Sequence, residues 1–467
     1  MTSRRAIVST LALLTVIAGT GIDAVTGWPP AMAAAGGALV VYVVLEGRRA
    51  DINGRLMLAA VAVTVVAALS RLPDPGRVLG RALAEAASLV GLFTALSFMR
   101  EAAEGSPLVK RCGDLMVRQP PGRRYLVISL GSHLVSLVLN FGVLSLLGTM
   151  VMRGNTAEAA GGDQRVVAIR SRRMMSALLR GFSVMTVWSP LSVSFAVTQT
   201  VVHGLPWNRL LPLQMGLAGL QLAHGWIIDR LAFPPVARPA GDGAVGGWGA
   251  LGRLALLIWG VMAASVVVAE LLGVRMVMGA VLVVPWAGLA WLAAQRRGNP
   301  ATAMVSAAAL MARRLTVILP GFATEVAMLG GGMFAGTVVA AFIAPAEVAH
   351  LIGRLGLPPL PLTILLAWSV MALAQVGVSQ IVTVTVLGGA LANLGQFGVD
   401  PLVLASGLMG AWALSACSTP VGAAILTVSR LAGVPLMTVA RDWNGRYVLQ
   451  GGLLLALWMS GLHWLLR

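Results

Sequence analysis

Residues Cys417–Pro435 read CSTPVGAAILTVSRLAGVP and stand inside an apolar run that begins near Leu402. Ser415, Ser418, Thr419, Pro420 and Gly422 crowd into eight positions of that run, at the mid-length of a segment long enough to cross a bilayer. A proline in a helix interior removes one amide donor and clashes with the preceding turn, at about 3 kcal/mol, so it persists where the freed carbonyls have other partners. The same pattern occurs earlier in the chain. Trp188–Pro206 reads WSPLSVSFAVTQTVVHGLP; Pro190 matches Pro420 at an offset of 230, and Gly204 and Pro206 match Gly433 and Pro435 at 229.

Two further matches lie in the same order. LAEAASLVGLF (Leu83–Phe93) resembles ATEVAMLGGGMF (Ala323–Phe334), placing Glu85 opposite Glu325, and NFGV (Asn140–Val143) resembles QVGV (Gln375–Val378). Four correspondences whose offsets drift by only 11 residues identify an internal repeat. The predicted division is an extra N-terminal helix in 1–29, a first repeat in 30–230, a cytoplasmic linker in 231–250 and a second repeat in 251–467. Each repeat carries a hairpin (125–152 and 360–395) and a broken helix (174–203 and 402–430).

Composition sets the class. The 467 residues are 58% hydrophobic and only 11% charged, against roughly 25% charged in soluble domains. Apolar segments of crossing length recur from Ala6 to Leu466 without the alternation of barrel strands, which predicts an all-α polytopic membrane protein. The start MTSRRAIVSTLALLTVIAG lacks a small-x-small cleavage site and a second span follows at once, so it reads as an uncleaved first helix.

The net charge of +17 sorts by side of the bilayer rather than pointing to nucleic acid. Of the 34 Lys and Arg, 26 fall in the N-terminus and six alternate loops, 48–55, 100–124, 153–173, 230–253, 296–314 and 430–446. Those loops are expected to be cytoplasmic, as is the N-terminus, in a bacterial-type inner membrane. Basic loops flank 125–152 on both sides, so this segment is expected to enter and return from one face, turning at Asn140 and Gly142 in LVLNFGVLS; the alternative is one long tilted span with a polar residue in it. The stretch 360–395, with ALAQVGVSQIVTV at its center, reads as a second hairpin entered from the other face. The expected fold is an inverted repeat of about eleven transmembrane helices plus two re-entrant hairpins and two discontinuous helices.

With this order of elements, the chain from Pro30 to Leu466 resembles the ion transporter superfamily, which includes divalent-anion/sodium symporters and arsenite and citrate permeases. In place of the symporters' Ser-Asn-Thr hairpin tips it has Leu139-Asn140-Phe141 and Val376-Gly377-Val378-Ser379. The resemblance implies a homodimer built on the early spans of each half.

The expected solute or ion site combines the hairpin tips (Asn140, Gly142, Gln375, Gly377, Ser379, Gln380) with the breaks (Ser189, Pro190, Ser192, Ser418, Thr419, Pro420, Gly422). Unwound carbonyls and hydroxyls suit a bound Na+, and half-helix N-termini suit an anion. Glu325, Glu85 and His133 are candidates for proton coupling, since ionisable groups at membrane depth are costly and mark ion paths or structural pairs. Arg180, within a span, either neutralises an anionic solute or snorkels. Cys112 and Cys417 form no metal or disulfide pattern, and no cofactor or metal is expected. The glycine run Gly330–Gly336 lacks the Lys-Ser/Thr ending of a phosphate loop and suits close helix packing. The expected function is secondary active transport of a small anionic or polar solute, driven by a proton or sodium gradient through alternating access. The alternative is a non-transporting membrane scaffold or assembly protein; an intramembrane enzyme would need a convergent nucleophile-base or metal set that five scattered histidines do not supply.

Overall fold

The computed structural model describes residues 4–202, 204–233, 248–296, 299–390 and 397–466, and every regular element among them is helical. Most of the expected linker and the end of the second hairpin, at 391–395, lie outside the described residues. The first half comprises α1 (Arg4–Thr26), α2 (Pro29–Glu46), α3 (Ile52–Arg71), α4 (Pro75–Glu104), α5 (Pro107–Val117), α6 (Pro121–Leu139), α7 (Gly142–Arg153), α8 (Gln164–Trp188), α9 (Val193–Val201) and α10 (Trp207–Ala232). The second comprises α11 (Trp248–Leu272), α12 (Met276–Ala294), α13 (Pro300–Ile318), α14 (Ala323–Ala341), α15 (Pro345–Leu355), α16 (Pro359–Gln375), α17 (Gln380–Ala390), α18 (Pro401–Ala416), α19 (Ala423–Ala432) and α20 (Gly445–Leu465).

Local chemistry sets many of these boundaries. Pro29, Pro75, Pro107, Pro300, Pro359 and Pro401 open helices, where a fixed φ is pre-set and the missing N–H would have had no partner. Asp51, Asp74, Asp163 and Asp400 cap helices by accepting from first-turn amides. Short α5 and α15 precede the two hairpins, and α15 meets α16 at 113°.

The center of the frame is the antiparallel pair α4 and α14. Phe93 packs on Phe322 with ring centroids 5.2 Å apart, and Thr337 donates to Glu85 Oε2 over 2.6 Å. The glycine run of α14 lets three partners approach: a methyl added at Gly330 would lie 2.9 Å from Val90 of α4, at Gly331 3.0 Å from Met57 of α3, and at Gly336 2.7 Å from Thr385 of α17. With lipid tails outside, such close van der Waals packing supplies much of the association energy. On the other flank, Gly288 of α12 abuts the backbone of Phe98.

One expectation is corrected. Residues 296–314 were expected to be a basic loop and 314–343 one span, but 300–318 is helix and a short turn at Leu319–Gly321 separates it from α14. α13 is apolar and long enough to cross a membrane. It does not cross: Gln295, just before it, donates to Ala102 O, and Arg314, near its end, donates to Glu101 O. Both ends are therefore held at one end of α4, and α13 lies along that face with Ala307, Met311 and Leu315 turned inward. Among the described residues nine other segments have the length and apolarity to cross a membrane, the broken α8–α9 being one of them.

Candidate solute-binding center

The first break separates α8 from α9. The amide that would have bonded the Val187 carbonyl, Leu191 N, turns to Ser189 Oγ instead, and Gln214 Nε2 of α10 donates to that carbonyl over 2.8 Å. Gln214 in turn accepts from Ser406, and Ser406 from Trp458. Ser192 donates to Ser189 O over 2.7 Å and caps Phe195 N, while Ser189 Oγ accepts from Leu191 N. Both serines are fully buried, so their hydroxyls are spent on building the turn.

The second break, Cys417–Gly422, is held from outside its own helix. Gln375 Nε2 donates to Ser418 Oγ over 2.8 Å, and Thr419 Oγ1 donates to Ala374 O over 2.8 Å. The tip of the second hairpin is thus docked on the interruption, turning at Gly377 with φ +91°. Val376 is 77% exposed and Val421 51%, so this junction borders open space. Gln375 and Gly377 are exposed, while Ser379 and Pro420 are half-buried.

The first hairpin turns at Asn140, which has φ 48° and is the one non-glycine residue with positive φ among the described residues. Such a conformation costs on the order of 1–3 kcal/mol. Phe141 packs on Phe182 of α8 at 5.0 Å, and the next residue, Ser183, accepts from Cys417 at 3.0 Å. The site 182–183 therefore joins the first tip to the second break and, through Ser418, to the second tip. Among the described residues no side-chain hydrogen bond links Asn140 to Gln375, and neither tip bonds the first break.

The two hairpins sit differently on their matched helices. In the second, Gly332 of α14 faces Ile381 and Ser379. In the first, the contact with α4 is made at the tip, where Gly142 faces the side chain of Arg100.

Among the coupling candidates, Glu85 is tied to Arg81 at 2.9 Å and to Thr337. His133 lies between Trp188 Nε1 at 3.0 Å and Gly181 O at 3.3 Å, so both ring nitrogens are occupied. Glu325 stands in the first turn of α14, within the field of Arg100 and Asp51.

Two residues outside the sequence expectation join this center. Ser194 and Thr198 lie one turn apart on α9, fully buried, and their hydroxyls have no partner among the described residues. Thr200, Ser415 and Thr427 instead donate to the carbonyl four residues back. Gln380 Nε2 at the start of α17 is likewise buried without a partner. α9 and α17 meet so closely that a methyl on Gly388 would come within 2.3 Å of Val201. The four-residue spacing directly after a Ser-Pro break was the available signal in sequence. A cavity of about 240 Å³, lined by Thr20, Asp23, Ser88, Arg275 and Met278, lies away from both tips, between α1, α4 and α12.

These features define an integral membrane protein with an all-helical polytopic fold, interrupted twice in its crossing helices. No family model matches the chain, and no curated protein matches it in sequence. Eighteen chains of solved structure match its fold. One is the YdaH transporter of Alcanivorax borkumensis, whose structure is described as having an unusual topology; the TM-score is 0.53 at 16% identity, over 88% of this chain and 98% of that one.

Proposed function

We propose that this chain is a secondary active transporter that moves a small anionic or polar solute across a bacterial-type inner membrane, with its basic face in the cytoplasm. Transport runs by alternating access and is coupled to a proton or sodium gradient. The resemblance to the ion transporter superfamily and a homodimeric assembly belong to the same proposal, and the likeness to a protein described as a transporter supports it.

The observation that carries the reading is the exchange of partners between the halves. Half-helix α9 packs on hairpin arm α17 through Val201 and Gly388, and half-helix α19 packs on hairpin arm α7 through Leu431 and Gly148. That exchange surrounds one center with elements of both repeats, where buried hydroxyls and unwound backbone can replace a solute's hydration. The unequal seating of the hairpins supports alternating access: two copies of one unit hold two positions, and exchanging them would open the center to the other face.

A non-transporting scaffold is the second reading, favored by the way Ser189 and Ser192 spend their hydroxyls on their own turn. Labeling separates the two. Single cysteines placed through 136–146 and 372–382 are treated with a membrane-impermeant thiol reagent from either side, with and without imposed proton or sodium gradients. Transport requires that the accessible side change with the gradient. Tips sealed from both sides under every condition would sink it in favor of the scaffold.

A further inference from the structure

Arg180 of α8 is 5% exposed and lies two turns before the first break. Its guanidinium donates to Asn444 Oδ1 at 2.9 Å, Tyr125 Oη at 3.0 Å and Trp443 O at 2.9 Å, and it lies 4.6 Å over the ring of Tyr447. Every one of these partners is neutral. Asp229, on the facing helix α10, is already held by Arg173 through both oxygens at 3.0 and 2.7 Å. Among the described residues no carboxylate pairs with Arg180.

An uncompensated charge in a low-dielectric interior is costly, and breaking or omitting its counter-charge is costlier than omitting the pair. Guanidinium has five N–H groups, of which three are used, so two remain. Tyr447 Oη, on the ring that the guanidinium covers, is buried without a partner, and so is the amide of Gln221, one turn before Gly225 on α10. The ring of His224 stacks on Tyr447 at 5.1 Å beside Gln450, without a hydrogen bond of normal geometry. Gly225 brings α10 close enough that an added methyl would stand 3.0 Å from Tyr125 Oη and 3.5 Å from Arg180 Cδ. The preceding π-helical turn, Thr438–Trp443, presents the Trp443 carbonyl that fixes the guanidinium; such turns recur at functional sites.

We propose that Arg180, Tyr447 and Gln221 bind a small inorganic monoanion of halide size, enclosed by α8, α10 and α20. The anion is a resident counter-charge that lets the cation remain buried at this depth. The site is separate from the breaks and tips, and the proposal stands whether or not the chain transports a solute.

Bromide is the probe. Full-length protein in detergent is unfolded thermally while sodium bromide replaces sodium sulfate at constant ionic strength, and crystals grown in bromide are measured at its absorption edge. The expected results are a saturable rise of about 2 °C in the melting temperature and an anomalous peak roughly 3.5 Å from the Arg180 guanidinium and Tyr447 Oη. Tyr447→Phe, which removes one donor at nearly constant volume, is expected to raise the bromide midpoint about tenfold. Arg48→Gln, which removes an exposed arginine outside the cage, leaves the midpoint unchanged. A wild-type crystal without the peak, or an unaltered midpoint in Tyr447→Phe, overturns the assignment.

Discussion

Gln375 and Ser418 are joined by a 2.8 Å hydrogen bond that fastens the tip of one hairpin to the interruption of another helix. The neighboring bond from Thr419 to Ala374 O makes the junction two-pointed. Backbone that has left helical geometry at membrane depth is thereby held by a second irregular segment, which is the condition under which such backbone survives in a bilayer.

Replacing Gln375 with alanine removes one of the two points. The expected loss is about 0.5–1.5 kcal/mol, with faster amide exchange across 374–380 and little change elsewhere. Exchange mass spectrometry of the purified protein checks this; uniform exchange along the chain would mean the junction is not a local latch.

Ser192→Ala and Ser194→Ala should behave oppositely although they stand two residues apart. Ser192 caps Phe195 N, so its loss is expected to cost about 1 kcal/mol in thermal or denaturant unfolding. Ser194, like Thr198, has no partner to lose, so its removal leaves stability within about 0.5 kcal/mol. Under the proposed function Ser194→Ala and Thr198→Ala impair solute movement; full activity in both variants would remove them from the center.

Gly388→Ala tests the crossing of α9 and α17. The new methyl would meet Val201 at 2.3 Å, and overpacking of this kind costs about 1–3 kcal/mol. Gly260→Ala, with open space around it on α11, is expected to be neutral or slightly stabilising. A melting-temperature comparison of the two decides whether the close approach is structural.

Asn140→Gly relieves a positive φ. Glycine adopts this region freely, and the expected gain is about 1 kcal/mol in unfolding free energy. No gain would mean that the asparagine side chain repays its strain through contacts in the folded state.

Cys112 of α5 is buried, and burial pushes its thiol up to about 11 from an ordinary 9.0. The folded thiol holds its proton longer than the unfolded one. Its contribution to stability is therefore fully present below about pH 9 and is lost as pH rises toward 11. In a Cys417→Ala background, maleimide labeling of the native protein should stay slow at neutral pH and accelerate only as pH nears the upper value. Rapid labeling at pH 7 would contradict the burial.

What the amino-acid sequence determined by itself was local. Membrane residence follows from composition, the interruptions at Pro190 and Pro420 from missing amide donors, and the turns at Asn140 and Gly377 from residues that tolerate unusual φ. The apolar, alanine-rich α13 shows the limit, because length and hydropathy say that a helix can cross, not that both its ends are tied to Glu101 and Ala102. The sequence pointed to Ser189 and Ser192 and passed over Ser194 and Thr198, because only the folded turn separates hydroxyls that are used from those without a partner among the described residues. The unequal seating of the hairpins and the neutral cage around Arg180, drawn from Tyr125, Trp443 and Asn444, were decided by tertiary structure. Such partners lie tens to hundreds of residues apart, and packing, not local propensity, chooses among them.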